Sequence, residues 1–412
     1  MSIHRSMDNK GIIVSNSDTA KQLPKGLIFL TPVWGKPYVD FFLDFVIRNL
    51  ADDNAILKLA EKFDCKYIIY TNQYLMGAFK NNIYIQKLSS KIEFIMKDVE
   101  DFTSDNKYKC LSACYNDAIK YSFQNEYANI FLNSDMIYSK ETFSNILKTI
   151  LDGYRCIEID GFRIIKEKFV PEINNRCTSE FALPARELVG LSIDNMHFIS
   201  KCHFWDNGKG VPFMPFHTYW RVGDEGLIGR ISHIYPIYFW PVNQDNASNV
   251  SIDWDLVDNS GIDKKDIFVV QSSDYIYSVE ISSESYHIEP LYPEADIHYM
   301  AMFVLNYCKE LHLWRLKKSI EFLRTEKKNI GIWREKHSHS QEWVNSIFLY
   351  LDPIIAIKNL FNQKNRYYAS NILMWKFRHI INRYFVSRIK LAIHLILNGE
   401  ISLLIKKIKG LA

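Results

Sequence analysis

The chain has 412 residues and a net charge of +3, with 48% apolar and 14% aromatic residues. That composition excludes an intrinsically disordered chain and suits two domains, or one domain with a substantial appendage. No run approaches the roughly 18 consecutive apolar residues of a membrane span. The seven cysteines (65, 110, 114, 156, 177, 202 and 308) are scattered without a CxxC pair, which argues against a zinc site or a disulfide scaffold. The charge is divided. Residues 353–412 carry eleven Lys or Arg against one acid, Glu400, a balance of about +10, so residues 1–352 sit near −7.

Residues 1–25 are polar and predict a loose lead with no signal peptide, which points to a reducing cytoplasm. Leu27–Leu30 predicts a first strand, ending in Thr31-Pro32-Val33-Trp34-Gly35, and Tyr38–Leu50 has apolar residues at helical spacing. Tyr67–Tyr70 predicts a second strand stopping at Thr71-Asn72, and Phe94–Met96 a third ending at Asp98. A helix is expected over Leu111–Tyr121 and a fourth strand over Ile130–Leu132. Strands and helices alternating at this spacing imply βαβ units and a mostly parallel sheet.

The fourth strand runs into Asn133-Ser134-Asp135. A buried strand that delivers a carboxylate to its carboxyl end places it where open α/β sheets bind ligands. Such an Asp suits a hard cation that also takes phosphate oxygens. A plain turn capped by Asn133 or Ser134 fits the same residues. Cys156–Ile159 and Arg163–Ile165, separated by Asp160-Gly161, predict a hairpin with a type I′ turn. Residues 180–260 are dense in Pro, Gly, His and Trp and predict a loop-rich functional surface. Beyond Ala295 the pattern is helical, and His337 and His339 fit a solvated linker.

The order of strand, Thr31-Pro32-Val33-Trp34-Gly35, helix, second strand with Thr71, then Asn133-Ser134-Asp135 about 100 residues on resembles nucleotide-sugar-dependent glycosyltransferases of the GT-A fold. The later segments Phe216-His217-Thr218-Tyr219-Trp220, Ser232-His233-Ile234-Tyr235-Pro236 and Ser251-Ile252-Asp253-Trp254-Asp255-Leu256 are similar to bacterial members acting on surface polysaccharides. The resemblance covers about 27–280. It implies an α/β fold with a Rossmann-type, mostly parallel sheet, helices on both faces, and a helical C-terminal region. The chain then divides into a lead (1–25), a catalytic domain (26–295) and a basic helical region (296–412). The family's usual Asp-x-Asp has Asn133 in first place here, which weakens retention of the Mn²⁺ or Mg²⁺ that the resemblance implies.

On this reading Asp135 meets the metal or the donor sugar, with Asn133 and Ser134 beside it. Thr31, Pro32, Trp34 and Thr71 hold the nucleoside, although core packing explains Trp34 equally well. His217 and His233 are candidates for a late metal ligand or a donor-phosphate contact, against the plainer role of structural histidines. Asp224, Glu225 and Asp253 are candidates for the general base that an inverting transferase needs, with Asp255 competing for the same role. Arg163 is a weaker candidate for the donor phosphate. The expected substrates are a nucleotide-sugar donor and a glycan or glycolipid acceptor.

The basic tail alternates cations with aliphatic and aromatic residues, as a helix lying on an anionic membrane surface does. Its long aliphatic runs, such as Leu391–Leu397, argue against nucleic acid as the partner. The protein is thus expected to be cytoplasmic and peripheral to the inner face of the cell membrane, with homo-oligomerisation left open. Two alternatives remain at this point: another nucleotide-dependent transferase, and a non-catalytic membrane-peripheral assembly protein with a degraded transferase fold.

Overall fold

The computed structural model describes residues 22–52, 55–102, 106–176, 181–207, 215–242, 252–286 and 296–362. The chain divides into two units, residues 1–295 with 308–340, and residues 296–307 with 341–412. In the first unit the strands follow as β1 (Gly26–Pro32), β2 (Asp64–Thr71), β3 (Glu93–Asp98), β4 (Tyr127–Phe131), β5 (Met136–Tyr138), β6 (Cys156–Ile159) and β7 (Arg163–Ile165). They continue as β8 (His217–Val222), β9 (Gly226–Ile231), β10 (Tyr235–Phe239), β11 (Ile267–Val269), β12 (Ser278–Ser282) and β13 (Ile320–Leu323).

The protein is α/β. Its main sheet has seven strands in the order β11-β6-β10-β4-β1-β2-β3, flanked by helices. All are parallel except β10, which runs antiparallel between β4 and β6. Every residue of β1 is buried, as expected of a central parallel strand covered on both faces. The helix Lys107–Asn125 turns Cys110, Cys114, Ala118 and Ile119 inwards and leaves its last turn through Glu126 in the left-handed region. The chain steps from β1 to β2 and β3 on one side and returns to β4 on the other. The edge between β1 and β4 is therefore a topological switch point, the place where open α/β sheets form their ligand crevice.

The hairpin expected around Asp160-Gly161 does not form. β6 joins the main sheet, whereas β7 pairs in parallel with β12 in a second sheet of order β5-β12-β7. Gly161 serves close approach rather than a turn, since a Cβ there would lie 2.0 Å from the Ser278 carbonyl oxygen. The third sheet has the order β13-β9-β8. Its strand β13 interrupts what the sequence presents as continuous helix. Ile320 and Phe322 are buried and Glu321 points the other way, a strand period set by antiparallel pairing with β9.

His337 is also no linker residue. It stands in the helix Ile330–Asn362, its Nε2 2.8 Å from Glu321 Oε1 and its Nδ1 3.2 Å from Ser319 Oγ. The second unit contains the helix Ile297–Tyr307, with Met300, Ala301, Phe303 and Val304 buried. The basic segment expected to lie on a membrane surface falls almost wholly in 363–412, outside the described residues. Among the described residues no helix is long and apolar enough to cross a membrane.

Candidate functional site

The ends of β1, β2 and β3 are tied together by one side chain. Asn72, just past β2, accepts the Gly35 N–H through Oδ1 (2.9 Å) and donates through Nδ2 to Glu100 Oε1 (3.0 Å). Gly35 has φ 80°, a conformation that favours glycine, and it turns the chain after Trp34. Thr31 is fully buried. It donates to the Leu132 carbonyl at 2.6 Å and so receives the Tyr67 hydroxyl at 2.8 Å, clamping β1 to β4 at the switch point. Pro32 is buried beside it. The Thr71 hydroxyl is buried without a hydrogen-bond partner among the described residues. Of the four residues expected at the nucleoside, only Trp34 is half-open at the sheet edge.

Past β4, the Asn133 side-chain oxygen receives the hydroxyls of Tyr115 (2.9 Å) and Tyr235 (3.1 Å). Tyr235 also donates to the Phe131 carbonyl at 3.0 Å, so Asn133 is held against the sheet end. Ser134 and Asp135 are half-buried beside it. The Asp135 carbonyl accepts the Ile281 N–H (2.8 Å), which docks this turn onto β12. Glu280 on β12 pairs in register with Arg163 on β7, and the Arg163 guanidinium bonds its carboxylate. Arg163 also lies over the Tyr286 ring, 4.5 Å from its centre. Burial, reinforced by the Glu280 charge and opposed by Arg163, pushes the Asp135 carboxyl up to about 7. His197 flanks the group, with Nδ1 accepting the Ile199 N–H and Nε2 3.2 Å from the Ser283 carbonyl oxygen, and burial holds it neutral.

These residues do not fit a resident divalent cation. Among the described residues no group of three His, Cys, Asp or Glu side chains is arranged to hold one. The Asn133 oxygen is committed to two phenols and Glu280 to a guanidinium, which leaves Asp135 as the only uncommitted carboxylate of the set.

Next to this group, the Asp160 carboxylate ends β6 at the same edge. His217 Nε2 lies 3.0 Å from its Oδ1, and the Tyr219 hydroxyl donates to its Oδ2 at 3.1 Å. His203 lies behind, its Nδ1 3.0 Å from the His217 carbonyl oxygen, and burial drives its imidazole down to about 3.

No protein-family profile matches the chain, and no curated relative is found. Among solved structures, mouse xyloside xylosyltransferase 1 in its apo form matches with 13% identity over 37% of this chain and 60% of that chain, TM-score 0.22. The 4-diphosphocytidyl-2C-methyl-D-erythritol synthase of Anaerococcus prevotii matches with 12% identity over 34% of this chain and 56% of that one, TM-score 0.20. The chain thus spans less than two thirds of either protein. Overlaps this partial establish no family, and the α/β architecture stands on the sheet topology itself.

Of the residues singled out from the sequence, the edge gathers Thr31, Pro32, Trp34, Thr71, Asn133, Ser134, Asp135, Arg163 and His217. It does not gather the rest. His233 is buried in an aromatic stack, 4.0 Å from the His312 ring centre and 4.7 Å from those of Trp254 and Phe216, and burial drives it far below its ordinary value. Asp224 and Glu225 occupy the turn between β8 and β9, beyond the far end of β8, which itself runs five residue steps or roughly 17 Å from His217. Glu225 is a structural anchor there: its carboxylate accepts the N–H groups of Lys328 (3.1 Å) and Asn329 (2.9 Å) and the Trp333 indole N–H (2.8 Å), fixing the start of the helix Ile330–Asn362. The side chain of Asp253 falls outside the described residues. Asp255 binds Lys309 at 2.5 Å.

Sequence reasoning missed Asp160, Glu280, Asn72, Tyr115 and Tyr235 as members of the site. Asp160 had a usable signal, an apolar run ending in a carboxylate as at Asp135. The Asp-Gly that follows it reads more readily as a hairpin turn.

Proposed function

We propose that this chain is a nucleotide-dependent transferase that moves a sugar from a nucleotide-sugar donor to a glycan or lipid-linked glycan acceptor, in surface polysaccharide synthesis. The observation that carries the reading is the convergence at one switch-point edge of Trp34, the Asn133-Ser134-Asp135 turn and the Arg163–Glu280 pair. The edge supplies a flat ring for a base. It also supplies a carboxyl that retains a proton near neutrality and can bond sugar hydroxyls, and a guanidinium suited to a diphosphate. In place of a resident metal, Arg163 takes the charge that develops on the leaving diphosphate. The basic C-terminal region would hold the enzyme at an anionic membrane surface where a lipid-linked acceptor resides.

Thermal stabilisation by a panel of nucleoside diphosphates and nucleotide sugars tests this, with and without Mg²⁺ or Mn²⁺. A ligand that binds only the native state adds about 2.7 kcal/mol at a hundredfold excess over its Kd. The expected result is a shift specific to one base, largely lost in Asp135→Ala. No shift with any nucleotide would overturn the reading. One observation favours a second reading, a nucleotide-sugar binding protein without turnover: the Asn133 oxygen is sequestered where the family's carboxylate would stand. A specific shift with no donor breakdown, with water or a glycan panel as acceptor, would favour it.

A further inference from the structure

Retention or inversion turns on the group that activates the acceptor, and the edge offers few choices. Glu280 is held by Arg163, and Asp135 is protonated near neutrality by its surroundings. Asp160 is nearly closed to solvent and has both oxygens engaged, one by His217 and one by Tyr219. His203 is buried, with its Nδ1 turned to the His217 carbonyl. His217 differs from all of these. Its side chain is 25% exposed against 7% for Asp160, Nε2 faces the carboxylate at 3.0 Å, and among the described residues no hydrogen bond engages Nδ1.

That geometry selects a tautomer. A neutral imidazole carrying its proton on Nε2, towards Asp160, presents a lone pair on Nδ1, and a carboxylate fixing an imidazole in this way is what makes it an efficient proton acceptor. The titratable groups around His217 are Asp160, His203, Tyr219 and His233. The Tyr219 ring stacks on the imidazole at 13° and the two other histidines are neutral, so among the described residues the charge facing it is the Asp160 carboxylate.

The dyad also stands at a suitable distance from the donor site. β6 and β4 are separated by β10 alone, two strand spacings or about 10 Å. Tyr235 on β10 links the two ends, pairing with Ile159, the residue before Asp160, while its hydroxyl reaches Asn133. From Asp160 the chain reaches Arg163 in three residues, a span of at most about 11 Å. An acceptor between His217 and a donor held at Asp135 and Arg163 would fill that gap.

We infer that His217, oriented by Asp160, is the general base of an inverting transfer at this edge. The inference rests on the transferase reading above. In the step, the acceptor hydroxyl gives its proton to Nδ1 of His217 as its oxygen bonds to the anomeric carbon. The bond from that carbon to the donor phosphate oxygen breaks, and its electron pair leaves with the nucleoside diphosphate. His217 is the catalytic residue and Asp160 a positioning residue.

The test uses the full-length protein and the nucleotide sugar that the thermal panel selects, with water as acceptor. Nucleoside diphosphate release is followed against pH for wild type, His217→Gln, His217→Ala and Asp160→Asn, and thermal stabilisation by the nucleoside diphosphate is measured for each. The expected result is a fall of about hundredfold or more in release for both His217 variants. The acid limb of the wild-type profile should vanish, imidazole added to His217→Ala should restore part of the rate, and nucleotide stabilisation should be unchanged. Asp160→Asn should lower kcat with KM little altered. A released sugar of inverted configuration completes the expectation. Wild-type release with an intact acid limb in His217→Gln would overturn the assignment and leave the transferase reading standing. So would loss of nucleotide stabilisation in both His217 variants, which would make His217 a donor contact. Absence of any nucleotide shift in the wild type would overturn both.

Discussion

Arg315 and Arg163 each face two carboxyl groups, one of them carried by a strand, and the outcomes differ. Arg315 is buried and spends its guanidinium fully, with Nε and Nη2 on Glu158 of β6 (2.9 and 2.5 Å) and Nη1 on Asp258 (2.8 Å). The two carboxylates share one guanidinium, burial pushes the Glu158 carboxyl up against the opposing charge of Arg315, and the arrangement is costly to break. Arg163 bonds Glu280 and also the Tyr286 side chain, over whose ring it lies, while Asp135 sits in the same field without a bond from any neighbouring side chain among the described residues. The first group is closed and holds helices to the sheet. The second leaves a half-buried carboxyl beside a partly exposed guanidinium at the switch point, with no side-chain partner for that carboxyl among the described residues, which is the condition a ligand site needs.

Arg315→Leu should therefore be the most damaging single change in either cluster. It leaves Glu158 and Asp258 buried without their cation, at a cost of about 3–5 kcal/mol. Urea unfolding midpoints of Arg315→Leu and Arg163→Leu would break the comparison if the two fell equally. Arg163→Leu should cost little stability, because its partner Glu280 reaches solvent, and should instead weaken nucleoside diphosphate binding by about ten- to hundredfold, the worth of one charge-assisted bond. Calorimetric titration of that variant with the diphosphate that stabilises the wild type measures this directly.

Much of this fold is legible along the chain because central parallel strands are covered on both faces. Leu27–Leu30, Tyr67–Tyr70 and Ile130–Leu132 are therefore unbroken apolar runs, and the polar residue ending each run marks the binding edge. The partners that give the edge its chemistry are less legible, because their bonds are long-range. Glu280 looks like an outward-facing strand residue until Arg163, 117 positions earlier, comes into register with it. Glu225 lies between glycines and reads as part of a mobile acidic turn. Its ligands are backbone N–H groups 103 and 104 positions further on. His217 and His233 look alike in sequence, each among aromatics, and only the placement of β8 and β10 sends one to the edge and the other into the core. Asp160 was obscured by local chemistry, since Asp-Gly between two apolar runs is a strong hairpin signal and only the pairing of β7 with β12 overrides it.

The smallest effect expected is the most discriminating about charge at the edge. With its carboxyl raised to about 7, Asp135 keeps its proton in the native state over a range where the unfolded chain, near 4, has lost it. Its contribution to stability is full below pH 4 and is lost as pH rises towards and through 7, so Asp135→Asn should flatten that part of the stability profile. The same titration acts on the donor. Without added cation, ionising Asp135 places a negative charge near the diphosphate, and nucleotide stabilisation should weaken about several-fold between pH 6 and 8. Asp135→Asn should bind without that decline. Were a divalent cation to enter with the donor, deprotonation would favour binding and the slope would reverse in Mg²⁺, because a metal takes the carboxylate and releases its proton. The sign of the slope, read with and without Mg²⁺, therefore distinguishes a diphosphate held by Arg163 from one held through a cation on Asp135.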